Sequence, residues 1–134
     1  MKNNLYKSIS EHNNVLLKLL KQNSNFDKII NIIYKRLNLG GKILLCGNGG
    51  SAADAQHLAA EFLIRLRPKI NRQPIPAISL CTDTSMLTAC GNDYKFEDVF
   101  LRPFKALSKK NDILIAISTS GNSKNIIKVL NQAK

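Results

Sequence analysis

Three groups of residues have the types and spacing to do chemistry. The first is Gly47-Asn48-Gly49-Gly50-Ser51, which follows the apolar run Lys42-Ile43-Leu44-Leu45-Cys46. Glycines let a backbone approach a ligand closely, and the start of the helix that follows offers N–H groups to an anion. The Lys-Ser/Thr pair of a Walker A loop is absent. Gly47, Gly49 and Ala52 fit the looser form of a dinucleotide fingerprint, but Lys69 and Arg72 stand where that reading needs an acidic residue about 20 positions on. The loop therefore reads as an anion or sugar site at a strand end, or as a tight structural turn.

The second group is Ser118-Thr119-Ser120-Gly121-Asn122-Ser123, after the apolar run Ile113 to Ile117. Capping a helix needs one such residue. Hydroxyls this dense, beyond the carboxyl end of a strand, suit a phosphate better. The third group is His57 and Glu61. Their i, i+4 spacing places both on one helix face. They could give two ligands to a divalent metal, or a general base with a polar partner. An ordinary surface pair is the alternative. Ala52, Ala53, Ala55, Ala59 and Ala60 around them argue for a tightly packed helix, where idle ionisable residues are less expected.

These groups need elements to hold them. Leu5, Ile9, Leu16, Leu19 and Leu20 predict an amphipathic helix over Leu5 to Gln22. It has no sheet yet to cover, so a neighbouring subunit is its expected partner, and His12 beside its stripe reads as a packed or interfacial side chain. Ser24-Asn25-Phe26-Asp27 resembles a capping box. It opens a helix expected to bury Phe26, Ile29, Ile30, Ile33, Tyr34 and Leu37 and to end at Gly40-Gly41. A strand over Lys42 to Cys46 and a helix over about Ser51 to Ile64 follow.

A basic, proline-punctuated connection, Arg65 to Pro76, leads to a strand over Ala77 to Leu80. A helix starts at Thr82-Asp83-Thr84-Ser85 and is expected to break at Gly91-Asn92-Asp93-Tyr94. Another, over about Glu97 to Leu107, opens on acidic residues that suit its macrodipole. The strand Ile113 to Ile117 and a helix bearing Ile126, Ile127, Val129 and Leu130 complete the pattern. Short apolar strands alternating with helices predict an α/β fold: a parallel sheet covered on both faces, in one domain over 1–134 with a helical segment at 1–39.

Composition narrows the class of function. With 44% hydrophobic and 22% charged residues the chain is globular. Its net charge of +11 is spread from Lys2 to Lys134, and six of the nine acidic residues lie between Asp54 and Asp98, across the candidate site. That distribution reads first as a Lys- and Asn-rich composition bias with solvated faces, next as a field favouring small anionic substrates, and least as nucleic-acid binding. No apolar run approaches the roughly 20 residues that span a bilayer. Met1 to Lys7 lacks the apolar segment of a signal peptide, so the expected location is the cytoplasm. Cys46, Cys81 and Cys90 show no C-x-x-C spacing and read as reduced, structural residues.

Taken together, these residues resemble the sugar isomerase (SIS) domain, and within it the phosphoheptose isomerases. The resemblance is carried by Cys46-Gly47-Asn48-Gly49-Gly50-Ser51, by Ala55-Gln56-His57-Leu58-Ala59-Ala60-Glu61, by the stretch Thr82 to Ala89, by Gly91-Asn92-Asp93-Tyr94, and by Ile117 to Ser123. It implies conversion of sedoheptulose 7-phosphate to D-glycero-D-manno-heptose 7-phosphate through an enediolate, for lipopolysaccharide or capsule. It also implies a phosphate held by Ser118, Thr119, Ser120 and Ser123, with a sugar lined by Asn48, Gly49, Gly50, Asn92 and Asp93. Ser51 and Arg65 match family positions too. His57 and Glu61 are implied as zinc ligands, with Glu61 also moving the proton between C1 and C2, and the assembly implied is a homotetramer.

The family continues through further strands to a final helix, whose Gln and His complete the metal site. Against that pattern this chain is expected to be a fragment or a shortened product, with three strands and half the metal site. The alternative within the family is a non-catalytic sugar-phosphate sensor or a partner of the replication initiator. Gly50 and Glu61, which are altered in the initiator's partner, favour the enzyme lineage.

Overall fold

In the computed structural model, which describes residues 2–21 and 23–134, the three apolar runs pair in parallel. β1 (Ile43–Gly47) is central, with β2 (Ala77–Ser79) on one side and β3 (Ile113–Ile117) on the other. Ile43 pairs with Ala77 and Ile113, and Gly47 with Ile117. All five residues of β1 are buried, as a central parallel strand requires, whereas β3 is half-buried along its length. The chain thus leaves β1 to one side and returns on the other. That reversal puts the carboxyl ends of β1 and β3 at the switch point where open α/β sheets bind ligands.

Helices cover this sheet through small or apolar faces. In α3 (Gly50–Leu63), Ala55 and Ala59 are buried and let the helix lie close to the strands. In α6 (Lys124–Ala133), Ile126 and Val129 are buried three residues apart on one face. Val99, Phe100 and Phe104 complete the core.

Two helices depart from the sequence reading by more than a shift of their ends. α4 (Thr84–Asp93) starts where expected, with Asp83 Oδ1 accepting the Met86 N–H at 2.9 Å, but it runs through Gly91 instead of breaking there. One interior glycine costs a helix only about 1 kcal/mol, too little to end it. The helix expected from Glu97 divides into a 3₁₀ turn (Phe96–Asp98) and α5 (Leu101–Leu107). Pro103 accounts for the division: it lacks an N–H and is tolerated in a first turn but not in a helix interior. Glu97 and Asp98 accordingly pair with Lys124 and Lys128 of α6, at 3.3 and 2.7 Å, rather than opening a long helix.

The fold divides into two compact bodies, Met1–Lys35 and Arg36–Lys134. The first comprises α1 (Lys2–Leu20) and most of α2 (Asn23–Asn38). The face of α2 expected to be buried is not: Phe26, Ile29, Ile30 and Tyr34 are exposed, and so is the α1 stripe of Leu5, Ile9, Leu16, Leu19 and Leu20. The amphipathic pattern is real, but two helices are too few to bury both apolar faces. The Ser24 side chain, read as a cap, lies outside those described. Among the described residues no helix is long and apolar enough to cross a membrane.

Candidate functional site

The glycine loop owes its shape to two positions. A Cβ on Gly47 would lie 2.4 Å from the Ser51 carbonyl oxygen, so only glycine lets β1 turn this tightly into α3. Gly49, at φ 56° and ψ −123°, occupies a conformation that other residues rarely reach. The loop then winds directly into the helix, with the Ser51 N–H donating to the Asn48 carbonyl and the Ala52 N–H to that of Gly49, both at 3.0 Å. Gly47→Ala should therefore destabilise the fold by about 1–3 kcal/mol and abolish ligand binding. A chemical melt and a sugar-phosphate titration check this; unchanged binding would refute the close-approach argument.

Opposite this loop, the hydroxyls after β3 curl around Gly121. Ser118 Oγ accepts the Gly121 N–H at 3.1 Å, and Ser120 Oγ accepts the Asn122 N–H at 3.2 Å. These bonds fix the oxygens and leave each O–H free to donate to a phosphate oxygen. Thr119 is exposed, and Ser123, the N-cap of α6, makes no side-chain capping bond.

One residue unflagged by the sequence ties the two loops together. Asn125 exchanges two hydrogen bonds with Asn48, each 2.9 Å, and is only 3% exposed. The signal was present: Asn125 lies four residues before buried Val129, on the same helix face, and a polar side chain there must find a partner.

His57 and Glu61 occupy α3 further along. His57 Nε2 lies 3.5 Å from Glu61 Oε1, the histidine side chain 73% exposed and the glutamate 24%. Glu61 Oε2 is buried without a hydrogen-bond partner. Arg72 holds the basic connection against this end of α3, donating to the carbonyls of Glu61 and Phe62. Glu61 follows Gly50 by three helical turns, roughly 16 Å along the axis. The glycine loop at the start of α3 and Glu61 near its end thus lie apart, and among the described residues no hydrogen bond joins the His57–Glu61 pair to the strand-end loops.

Zinc takes four ligands. The orphaned Glu61 oxygen and the neighbouring imidazole suit two of those places, but no group of three His, Cys, Asp or Glu that could hold a metal occurs among the described residues. The donor set is half of a site, and no chemical step is derived through a metal.

The remaining candidates lie apart. Asn92 donates to Asp93 at 2.8 Å in the last turn of α4, and Asp93 lines a cleft where Arg102 stacks 3.7 Å over the Tyr94 ring. Neither residue hydrogen-bonds to the strand-end loops. Arg65 donates locally to the Pro68 carbonyl, and His12 is exposed on α1. The three cysteines are free and buried. Burial, with Cys81 adding, pushes the Cys46 thiol up to about 12, and burial also raises Cys81 and Cys90, so all three stay protonated and structural.

Comparison with known proteins places this geometry in context. The SIS domain model matches residues 9–134. A phosphoheptose isomerase of Campylobacter concisus is 51% identical over 128 residues, covering 96% of this chain and 63% of that protein. One of Clostridium acetobutylicum is 44% identical over 137 residues, covering the whole chain and 69% of the relative. The solved phosphoheptose isomerase of Neisseria gonorrhoeae superposes with a TM-score of 0.70 at 39% identity, over 96% of this chain and 68% of its own.

Proposed function

The chain belongs to the SIS domain family, among the phosphoheptose isomerases, and from that premise we propose that it isomerises sedoheptulose 7-phosphate to D-glycero-D-manno-heptose 7-phosphate. The observation that carries the proposal is the hydroxyl-lined cradle at the switch point; Glu61, whose buried Oε2 has no partner, stands apart from it on α3. Ser118, Thr119, Ser120 and Ser123 take the phosphate. Asn48, Gly49, Gly50 and Ser51 take the sugar, and Asn92 and Asp93 are assigned to it by their place in the family pattern. The product would supply heptose for lipopolysaccharide or capsule, in the cytoplasm.

Glu61 is the proton carrier. It removes a proton from C1, and the C–H electron pair becomes the C1–C2 double bond of an enediolate whose charge rests on O2. The O1 proton passes to O2, and Glu61 returns its proton to C2, leaving an aldehyde at C1. His57, beside the carboxylate, serves as its polar partner. Zinc held by His57 and Glu61 would need two further donors. Bound there, it would supply Lewis-acid stabilisation of the enediolate.

We also propose that the chain assembles as a homotetramer. The apolar groove of about 680 Å³ lined by Leu16, Leu17, Leu20 and Phe26 supports this, as does the exposure of His57. Native mass spectrometry reads the assembly: a tetramer is expected, and a monomer would sink this proposal.

The activity itself is tested by incubating the full chain with sedoheptulose 7-phosphate and following the aldose by NMR, with inorganic phosphate as competitor. Phosphate-competed turnover is the expected result. Competed binding without turnover would leave a non-catalytic sugar-phosphate sensor, and neither binding nor turnover would remove the reading altogether.

A further inference from the structure

We propose that Asn125 is a positioning residue that fixes which atoms of the Asn48 carboxamide face the sugar, an assignment that rests on the sugar-phosphate reading of the strand-end site. Asn125 is the second residue of α6, and its side chain reaches across the switch point to the loop after β1. Its Nδ2 donates to Asn48 Oδ1, and its Oδ1 accepts from Asn48 Nδ2, each at 2.9 Å.

A reciprocal pair of carboxamides has two equivalent settings, related by turning both groups over. A third bond removes that degeneracy. The backbone N–H of Ile126 donates to Asn125 Oδ1 at 2.9 Å, and an N–H cannot be satisfied by an NH₂ in the same place. The Asn125 oxygen is therefore held, and the Asn48 amide must oppose it with its nitrogen.

What remains on Asn48 is one N–H and one oxygen lone pair, each directed away from Asn125. A sugar hydroxyl arriving there meets a donor and an acceptor of fixed identity rather than a group free to turn over. Asn125 itself is buried and needs no contact with the ligand. Its action runs through Asn48, whereas the phosphate is gripped by hydroxyls on the other loop.

That division sets the test. Asn48→Ala, Asn125→Ala and the double variant of the full chain are titrated calorimetrically with sedoheptulose 7-phosphate and, separately, with inorganic phosphate. Asn125→Ala is expected to weaken the sugar phosphate about tenfold, the scale of one lost hydrogen bond, and inorganic phosphate less than about twofold. In the Asn48→Ala background, adding Asn125→Ala should cost nothing further. Asn125→Ser keeps a polar group in the buried position but cannot return both bonds to Asn48. It should show the same sugar-specific loss if Asn125→Ala fails to fold. Equal weakening of both ligands, or losses that add in the double variant, would show that Asn125 merely supports α6 and would overturn the proposal. A wild-type chain that binds neither ligand would instead refute the site reading beneath it.

Discussion

Glu61→Gln is expected to lower turnover about 10²–10⁴-fold while sedoheptulose 7-phosphate still binds. The amide matches the carboxylate in size and shape, so the wall of the site is kept and only the ability to carry a proton is lost. The buried Oε2 has no partner to lose. An amide nitrogen in its place would bury a donor, costing about 1–3 kcal/mol of stability. A melt run alongside the assay separates that cost from the loss of chemistry. Wild-type turnover in the folded variant would remove Glu61 from the reaction. His57→Ala should do less, because the imidazole lies largely exposed beside the carboxylate and does not itself carry the proton.

How much of this was legible in the sequence follows from which signals are local. β3 has the bounds its apolar run predicted, and β1 is shifted by one residue, to Ile43–Gly47 from the expected Lys42 to Cys46, because Gly47 continues the ladder opposite Ile117. The hydroxyl loop after β3 was legible because hydroxyls and glycines at a strand end are a composition signal. Asn125 was legible as a buried polar residue but its partner was not, because Asn48 lies 77 residues away across the sheet. Pro103 illustrates a local signal passed over: a proline seven residues into an expected helix already forbade that helix. The faces of α1 and α2 illustrate the reverse, since periodicity says which side chains want burial but not what will cover them.

The second large effect is expected at the end of the sheet opposite the cradle. Asp112 precedes β3, and its carboxylate gathers the Lys42 side chain, the Lys42 backbone N–H at 2.9 Å and the Lys109 N–H at 2.7 Å. These bonds clamp the start of β3 to the start of β1, beside Gly41, where a Cβ would meet the Asn111 carbonyl oxygen at 2.1 Å. Burial alone would raise the Asp112 carboxyl. The bonds from Lys42 and Lys109 outweigh it and hold the group below its ordinary value.

A carboxylate depressed in the folded state stabilises it above the unfolded-state value, and that stability is lost as pH falls through the lowered one. Asp112→Ala should therefore cost about 2–3 kcal/mol at neutral pH, towards the lower end for a broken ion pair because Lys42 keeps 20% of its side chain in water. The gap from wild type should narrow in acid. Urea unfolding at neutral and acid pH measures both, and a gap that stayed constant on acidification would show that the carboxylate's charge is not what holds the two strands in register.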